Sequence, residues 1–201
     1  MIHFRKKMIC ACLAAVLTLS GCTSPKEQDA TEPSQESTEL SSTVKGLVCL
    51  EISRFTGGYI EDGTYDRVTD VAAILVANDT EQFLNLATVT YKVGERTATF
   101  RVTGLPAGEA AWVLEQNRMT LAPEDKLVLE DCKTAFNANP ITATQNLQVT
   151  REGNSFTVKN VSDKKLKNVC IYYKNTLEDG VFMGGITFSM NFGDMEPVPS
   201  R

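Results

Sequence analysis

Histidine and cysteine are the residues of this chain best suited to nucleophilic or metal chemistry, and their positions limit that chemistry. His3 is the only histidine among the 201 residues. The rest of the chain therefore lacks the base that activates serine and cysteine nucleophiles. It also lacks the usual protein ligand of zinc and of non-haem iron. We expect that the chain is not an enzyme and that it holds no metal and no cofactor.

Carboxylates are the next candidates for chemistry. Four of them lie between positions 61 and 70, namely Glu61, Asp62, Asp66 and Asp70. Oxygen ligands suit calcium, but the spacing matches no EF-hand loop, and we interpret the cluster as a solvated loop. Paired carboxylates could also hydrolyse glycosidic bonds without a cofactor. Such a hydrolase is the least favoured alternative, because the acidic residues fall mostly in predicted loops and Trp112 alone could stack on a sugar.

The first 21 residues have the three parts of a secretory signal. The basic residues 5–7 supply positive charge, the apolar run 8–19 follows, and the small residues Ser20 and Gly21 precede the expected cleavage point. The run is shorter than the roughly 20 apolar residues of a transmembrane helix. We therefore predict that residues 1–21 are a signal peptide that is removed on export.

The end of the apolar run gives this signal a more specific meaning. Leu19, Ser20, Gly21 and Cys22 resemble the lipobox of bacterial lipoproteins, a resemblance that covers only the first 22 residues. It implies that a diacylglycerol is attached to the Cys22 thiol and that Cys22 becomes the new N-terminus. Two acyl chains suffice for stable anchoring. The implied location is the extracytoplasmic face of the cell membrane, with ordinary secretion as the alternative.

The chain beyond the signal is acidic and poor in cysteine. The formal net charge is −5 for the whole sequence, and loss of the basic residues 5–7 makes the remainder more acidic. This balance argues against nucleic acid and against charge-driven binding to anionic lipids. Cys49, Cys132 and Cys170 follow Cys22, and an odd number of cysteines cannot pair completely. A disulfide between Cys49 and Cys132 is one alternative, but we favour three reduced thiols.

Residues 22–43 connect the lipidation site to the folded part. They are rich in Ser, Thr, Glu, Pro and Gln and contain almost no large apolar residue. Such a segment cannot bury enough surface to offset the entropy lost on ordering. We interpret it as a disordered tether, with a reach of about 25 Å as a flexible chain.

Alternating apolar and polar residues indicate strands throughout residues 44–201, and no stretch has a convincing helical period. Val48, Leu50 and Ile52 alternate with their neighbours and predict one buried face. Residues 68–77 form a β-branched apolar run that is typical of a central strand. Short strands at this spacing, separated by turn residues, predict an all-β sandwich.

The sequence also repeats itself at an offset of 82 residues. The matched pairs are Val76 and Val158, Asn78 and Asn160, Leu84 and Leu166, Val89 and Ile171, Tyr91 and Tyr173, and Lys92 and Lys174. Each copy contains an Asn-headed turn, a leucine and a strand that ends in Tyr-Lys. We predict a first repeat at 44–131, a connector at 132–146 and a second repeat at 147–201.

Each copy resembles the small Ig-like repeats of bacterial lipoproteins, of the FxLYD type. Residues 105–109 of the first copy fit the turn pattern of those repeats. In the second copy Val198 stands where Gly108 stands in the first. The resemblance implies two tandem Ig-like β-sandwich repeats after the tether. It further implies an extracytoplasmic interaction or spacer role without known catalysis.

The second copy has no counterpart of residues 110–114, the last predicted strand of the first copy. We therefore expect the second repeat to lack its last strand, which would leave an unpaired edge and an uncovered apolar face. Three explanations stay open. The sequence is truncated, an earlier segment such as 48–52 or 127–130 fills the gap, or a strand from another chain completes the sandwich.

Tyr172 and Lys174 are the candidate binding surface. Because Ile171 and Tyr173 are predicted to point inwards, Tyr172 should point outwards beside Lys174. Exposed aromatics often mark contact sites, although pairing across strands is the simpler explanation for one tyrosine. We predict a membrane-anchored interaction or spacer module whose partner is a protein or a glycan. A structural accessory subunit of a cell-envelope complex is the alternative.

Overall fold

The structure is a computed structural model that describes residues 42–138, 144–152, 155–177 and 179–198. These residues form eleven strands and a short 3-10 helix, Thr144–Asn146, so the predicted all-β class is confirmed. The first seven strands are β1 (Ser42–Val44), β2 (Leu47–Gly58), β3 (Arg67–Asn78), β4 (Phe83–Val93), β5 (Arg96–Leu105), β6 (Ala110–Leu114) and β7 (Val128–Asn137). The last four are β8 (Leu147–Glu152), β9 (Ser155–Asn160), β10 (Leu166–Thr176) and β11 (Phe182–Met195). Within these ranges no helix is long and apolar enough to cross a bilayer.

The strands are arranged in three sheets. The largest has six strands in the order β1-β2-β3-β6-β11-β10, the second has the order β5-β4-β7, and β8 and β9 form a hairpin of their own. Neighbouring strands pair antiparallel, except that β6 and β11 pair in parallel. Strands β1–β7 are called the first half below, and β8–β11 the second half.

The first half closes as a sandwich because its two sheets turn apolar faces towards each other. Leu84, Val89 and Tyr91 of β4 lie in one core with Val76 of β3 and Phe100 of β5. The rings of Tyr91 and Phe100 meet edge to face, with their centroids 5.8 Å apart. Burial of a large apolar side chain contributes about 1.5–3 kcal/mol. This core therefore holds β3 and β4 in fixed positions.

Strand β2 departs from the predicted alternation. Its pairing with β3 shifts between Cys49 and Glu51, which marks a β-bulge. Cys49 is consequently buried, whereas half of Leu50 is exposed. The prediction that Val48, Leu50 and Ile52 share one buried face is therefore wrong, because a bulge interrupts the period of two.

Strand β7 corrects the predicted boundary between the repeats. Residues 132–146 were expected to be a connector, but β7 continues to Asn137 and pairs with β4. Cys132, in the middle of β7, is buried opposite Val89. Glu130 and Asp131 lie on the outer face of β7. These charged residues give the sequence of β7 the composition of a loop, although only one face of the strand is polar.

The two halves are joined through one sheet. At its start β11 runs parallel to β6, with Phe182 opposite Ala111. It then passes so close to β5 that a Cβ atom on Gly185 would lie 2.0 Å from the carbonyl oxygen of Arg101. Only a glycine fits there, because glycine in a strand allows another backbone to approach closely.

Asn78 organises the turn after β3 in the first half. Its side-chain amide donates to the carbonyl oxygens of Gln82 and Pro106, at 2.8 and 3.0 Å. Its side-chain oxygen accepts hydrogen bonds from the backbone N–H and the hydroxyl group of Thr80, at 3.2 and 2.7 Å. Asn78 is fully buried, so these bonds satisfy a polar group that would otherwise be costly.

Asn160 forms the same arrangement after β9. Its amide donates to the carbonyl oxygens of Lys164 and Met195, at 2.7 and 3.0 Å. Its oxygen accepts from the backbone N–H and the hydroxyl group of Ser162, at 3.0 and 2.7 Å. The bonds to Gln82 and Thr80 thus recur at Lys164 and Ser162, at the offset of 82 residues found in the sequence, whereas Met195 lies 89 residues after Pro106.

Candidate functional site

Tyr172 lies on the outside of β10, as its position in the alternation predicts. It is 63% exposed and lies opposite Ser189 of β11. A hydrogen bond with the Cys170 thiol raises the pKa of Tyr172. Cys170 lies opposite Asn191, which is exposed together with Ser189. We call Cys170, Tyr172, Ser189 and Asn191 the Tyr172 patch.

Lys174 does not belong to this patch. Its side chain is only 3% exposed, and its Nζ donates to the three carbonyl oxygens of residues 184–186 at 2.7 to 3.3 Å. The pairing of β10 with β11 shifts between Tyr173 and Asn175, and residues 184–186 form the bulge on β11. The prediction that Lys174 points outwards beside Tyr172 is therefore wrong, because the alternation changes at this bulge.

Glu61 reaches the same bulge from the first half. Its carboxylate accepts a hydrogen bond from the backbone N–H of Leu114 in β6, at 2.8 Å. It also accepts from the backbone N–H groups of Gly185 and Ile186, at 2.9 and 3.1 Å. Glu61 and Lys174 thereby satisfy backbone groups that the bulge removes from the ladder. We call Glu61, Lys174 and the bulge the ionic junction.

Burial shifts the pKa of both side chains of the ionic junction towards the neutral form. It lowers the pKa of Lys174 to about 7, and the negative charge of Glu61 opposes this shift. It raises the pKa of Glu61, against the effect of the backbone N–H donors and of Lys174. Carbonyl oxygens around the ammonium and N–H groups around the carboxylate favour the charged forms. The junction is therefore a structural contact between the halves.

Strand β10 forms the outer edge of the six-stranded sheet. It pairs with β11 on one side, and no strand among the described residues pairs with its other side. Its counterpart in the first half, β4, pairs with both β5 and β7. The backbone N–H and C=O groups along such an edge can accept a further strand. We call this side of the strand the β10 edge.

The inner face of β10 is only partly covered. Tyr173 stacks on Phe188 of β11 with a centroid distance of 5.5 Å, and Phe156 of β9 lies 5.7 Å from Tyr173. All three rings are half-buried. By contrast, Tyr91, the counterpart of Tyr173, is 1% exposed. The second half therefore presents aromatic surface on the strand that carries the open edge.

The acidic residues 61–70 do not form a common site. Asp62 and Asp66 bind the guanidinium of Arg118, at 2.6 and 3.1 Å, while Glu61 belongs to the ionic junction. Hydrogen bonds from the backbone and hydroxyl group of Thr64, with those from Arg118, lower the pKa of Asp62 to about 2. In the part of the chain that the structure describes, no three His, Cys, Asp or Glu side chains are grouped to hold a metal ion.

Glu115 is a second buried carboxylate, and it holds the turn that follows β6. It accepts hydrogen bonds from the backbone N–H groups of Thr99, Asn117 and Met119, at 3.1, 2.7 and 2.8 Å. The carboxylates of both Glu61 and Glu115 are thus occupied by backbone donors. This occupation gives them a structural role in the fold.

The cysteines of the folded part are present as thiols. Cys49 and Cys132 lie in opposite sheets of the first half and line the same small cavity with Tyr91. Burial raises the pKa of both thiols, which lowers their reactivity at neutral pH. Cys22, the predicted lipidation site, lies outside the described residues, as do the predicted signal peptide and nearly all of the tether.

The sequence predicted that Tyr172 is exposed, but it did not reveal its neighbours in the patch or the ionic junction. Glu61 and Lys174 lie far apart in the chain, and each belongs to a stretch with other exposed charges. The Gly184-Gly185 pair is the one signal that could have located the junction, because glycines within a strand mark a bulge or a close backbone approach. Which side chains bind the backbone groups at such a displacement depends on tertiary contacts, and a local sequence pattern does not encode those contacts.

Comparison of the chain with protein-family models, with curated proteins and with solved structures gives no match. The functional interpretation therefore depends on the residues themselves. Among the described residues, the Tyr172 patch and the β10 edge are two features that a partner can reach.

Proposed function

We propose that this protein is a lipid-anchored, extracytoplasmic interaction module that binds a partner through its second half. The anchor is proposed from Leu19, Ser20, Gly21 and Cys22, which resemble a lipobox and follow a signal-like segment. The membrane is then a partner through the lipid on Cys22. The further partner is a protein or a glycan at the cell surface, and the β10 edge favours a protein.

One observation carries this proposal. Tyr172 is exposed on a strand whose backbone edge is open and whose inner aromatic face is half-covered. Tyrosine is enriched among the residues that contribute most to protein interfaces. An exposed aromatic with polar neighbours is typical of a contact surface. These three features lie on the same strand, so one partner can use all of them.

The proposed organisation follows the same reasoning. We propose a signal peptide at 1–21, a lipidated Cys22 with a tether to residue 43, and two Ig-like repeats related to the FxLYD type. The matching turns at Asn78 and Asn160 support the repeat. We propose Asn137 as the end of the first repeat, because β7 extends to this residue and pairs with β4. A module of this kind also acts as a spacer.

A structural accessory subunit of a cell-envelope complex is the second candidate function. The parallel pairing of β6 with β11 favours it, because this pairing joins the two halves in one sheet. The two candidates differ in how the partner is held. An accessory subunit co-purifies with its complex in constant proportion after gentle detergent extraction, whereas an interaction module is recovered mostly alone. A carboxylate hydrolase is the weakest candidate, since Glu61 and Glu115 are occupied by backbone donors.

The anchor is tested with the Cys22→Ser variant. Without the thiol no diacylglycerol can be attached, so we expect the variant to leave the membrane fraction or to keep its signal peptide. The measurement is fractionation of cells followed by intact mass of the protein. Cys170→Ser is the matched control and should remain anchored. Normal cleavage and membrane retention of Cys22→Ser would contradict the proposed anchor.

The interaction surface is tested with a photo-reactive phenylalanine analogue at position 172 in intact cells. We expect a crosslinked product of one defined mass, because the analogue replaces an aromatic that is proposed to contact the partner. Val128, which is 64% exposed in the first half, is the matched control position. Equal crosslinking at both positions, or none at position 172, would show that the Tyr172 patch is not the contact.

A further inference from the structure

Cys49 and Cys132 lie in opposite layers of the sandwich that the first half forms. Cys49 belongs to β2 of the six-stranded sheet, and Cys132 belongs to β7 of the three-stranded sheet. Both side chains are part of the shared core, where they are 5% and 3% exposed. The third cysteine of the folded part, Cys170, lies on β10 in the second half. The structure therefore divides the odd set of cysteines into a pair and a single residue.

The pair lines one small cavity between the two layers. Val76 of β3 stands opposite Cys49, and Val89 of β4 stands opposite Cys132. Both valines line the same cavity, together with Tyr91. The two pairs of strands therefore bring the cysteines to facing positions. Tyr91 gives a second indication, because a negative charge on either thiol raises the pKa of its hydroxyl group.

Contacts at the start of β2 hold this strand close to β7. The Nζ atom of Lys45, in the turn before β2, donates to the backbone carbonyl oxygen of Cys132 at 2.8 Å. The hydroxyl group of Thr134 donates to the backbone carbonyl oxygen of Lys45 at 3.4 Å. The turn is thus packed against β7, and Cys49 lies a few residues further along the chain.

This arrangement suits a covalent bond between the two sulfur atoms. A disulfide joins residues whose Cβ atoms lie about 3.5–4.5 Å apart, so it forms only between closely packed strands. The cavity leaves the two Sγ atoms room to rotate towards each other. The thiol of Cys49 donates to the carbonyl oxygen of Glu51 at 3.7 Å, and a thiol is a weak donor. Giving up that contact therefore costs little.

We propose that Cys49 and Cys132, which are thiols in the structure, form a disulfide when the protein folds outside the cytoplasm. Cys170 then remains as the free thiol. Extracytoplasmic compartments favour disulfides, so the inference rests on the export in the proposed function and not on the partner. It replaces the three reduced thiols that the sequence alone favours, because the structure places two of them at one cavity. The bond crosslinks β2 to β7 and stabilises the sandwich.

The oxidant is the disulfide of a thiol–disulfide oxidoreductase. One cysteine thiolate of the chain attacks this disulfide, which forms a mixed disulfide and releases one thiolate of the oxidoreductase. The second cysteine thiolate attacks the sulfur of the first and releases the other thiolate. The chain loses two protons and two electrons, and the oxidoreductase becomes a dithiol. Because both cysteines are buried in the closed sandwich, the exchange precedes closure of the two sheets.

The mass of the full-length chain purified from cells tests the pairing. The protein is denatured and alkylated with iodoacetamide, with and without prior reduction. We expect alkylation of Cys170 without reduction, and of Cys49 and Cys132 only after reduction. Digestion of the unreduced protein should yield one linked pair of peptides that contains Cys49 and Cys132. Alkylation of all three thiols without reduction, or a link through Cys170, would overturn the proposal.

Two cysteine variants are the matched controls. Cys170→Ser should keep the linked peptides, whereas Cys49→Ser should leave Cys132 open to alkylation without reduction. Reduction should lower the Tm of the wild type and of Cys170→Ser by about 5–10 °C, because it removes a crosslink that closes a long loop. It should leave the Tm of Cys49→Ser unchanged. An equal shift in all three proteins would overturn the stabilising role of the bond.

The same mass spectra distinguish this inference from the proposed function. A chain that keeps residues 1–21 has not been exported as proposed, and the proposed location is then wrong. A chain that has lost these residues and still has three free thiols overturns the disulfide while the location stands. Refolding of the urea-denatured chain with reduced and oxidised glutathione tests the pairing apart from export. We expect the bond between Cys49 and Cys132, and its absence would overturn the pairing in either case.

Discussion

The two halves of the molecule have the same turn and different cores. Asn78 and Asn160 make matching hydrogen bonds and are both almost completely buried. Leu84, six residues after Asn78, is fully buried, whereas its counterpart Leu166 is half-buried. The local chain path is therefore the same in both halves, and the depth of the core is not.

The number of strands explains this difference. In the first half β4 is flanked by β5 and β7, and β3 by β2 and β6. In the second half β10 is flanked by β11 alone among the described strands, and its inner face meets the hairpin of β8 and β9 through the contact between Phe156 and Tyr173. Turn geometry follows from a few nearby residues, but burial requires strands that come from elsewhere. A repeated sequence motif thus guarantees a turn without guaranteeing a closed sandwich.

The largest expected effect comes from truncating the paired leucines. Leu84→Ala should lower the free energy of unfolding by about 3 kcal/mol, because it removes a fully buried side chain and leaves a cavity. Leu166→Ala should cost only about 1 kcal/mol, because its site is partly open to water. Urea denaturation of both variants measures the two values. Equal costs would mean that the core of the second half is covered in solution.

The paired asparagines should instead behave alike. Asn78→Ala and Asn160→Ala should each cost about 2 kcal/mol, since each leaves buried backbone groups without a partner. Thermal unfolding of the two variants tests this expectation. Asn85→Ala, at an exposed position of β4, is the control and should cost less than about 0.5 kcal/mol. If Asn160→Ala did not lower the free energy of unfolding, the two turns would not contribute equally to stability.

The smallest effect concerns the ionic junction, in which Lys174 is buried although its counterpart in the first half, Lys92, is exposed. Burial lowers the pKa of Lys174 to about 7, below the value of about 10.5 for an unfolded chain. Between these pH values the unfolded chain binds more protons, so this group makes stability rise with pH.

Comparison of the wild type with Lys174→Met isolates that contribution. From pH 7 to pH 9 the wild type should gain about 1 kcal/mol of stability relative to the variant. The shift from about 10.5 to about 7 alone would give about 2 kcal/mol over this range. The carbonyl groups of the bulge favour the ammonium and keep the gain smaller. Urea denaturation at several pH values provides the measurement. Parallel pH profiles would show that Lys174 titrates as an exposed lysine.

Much of the fold could be predicted from the sequence, because alternation and turn residues are local signals. The central strand predicted at residues 68–77 was visible in this way, and it lies within β3 between β2 and β6. The prediction failed at Leu50 and again in β7, for two different reasons. A bulge reversed the faces of β2, and the charged residues on the outer face of β7 led to its interpretation as a loop.

The same limits apply to the candidate site, where one residue could be predicted from local alternation and two could not. Tyr172 was predicted to be exposed, and it is, because no bulge separates it from Ile171. Lys174 lies only two residues further, but the shift in pairing after Tyr173 turns it inwards. Its partner Glu61 comes from the other half of the chain. Contacts of that kind depend on the assembled sheet and are invisible in a short window of sequence.

The parallel pairing of β6 with β11 has a mechanical consequence. A load applied to β10 does not pass to the first half only through the covalent chain between the halves. It also crosses β11 into β6 by way of backbone hydrogen bonds, such as those around Phe182 and Ala111, and the ionic junction shares it. Tension at this edge must therefore break the sheet before the two halves can separate.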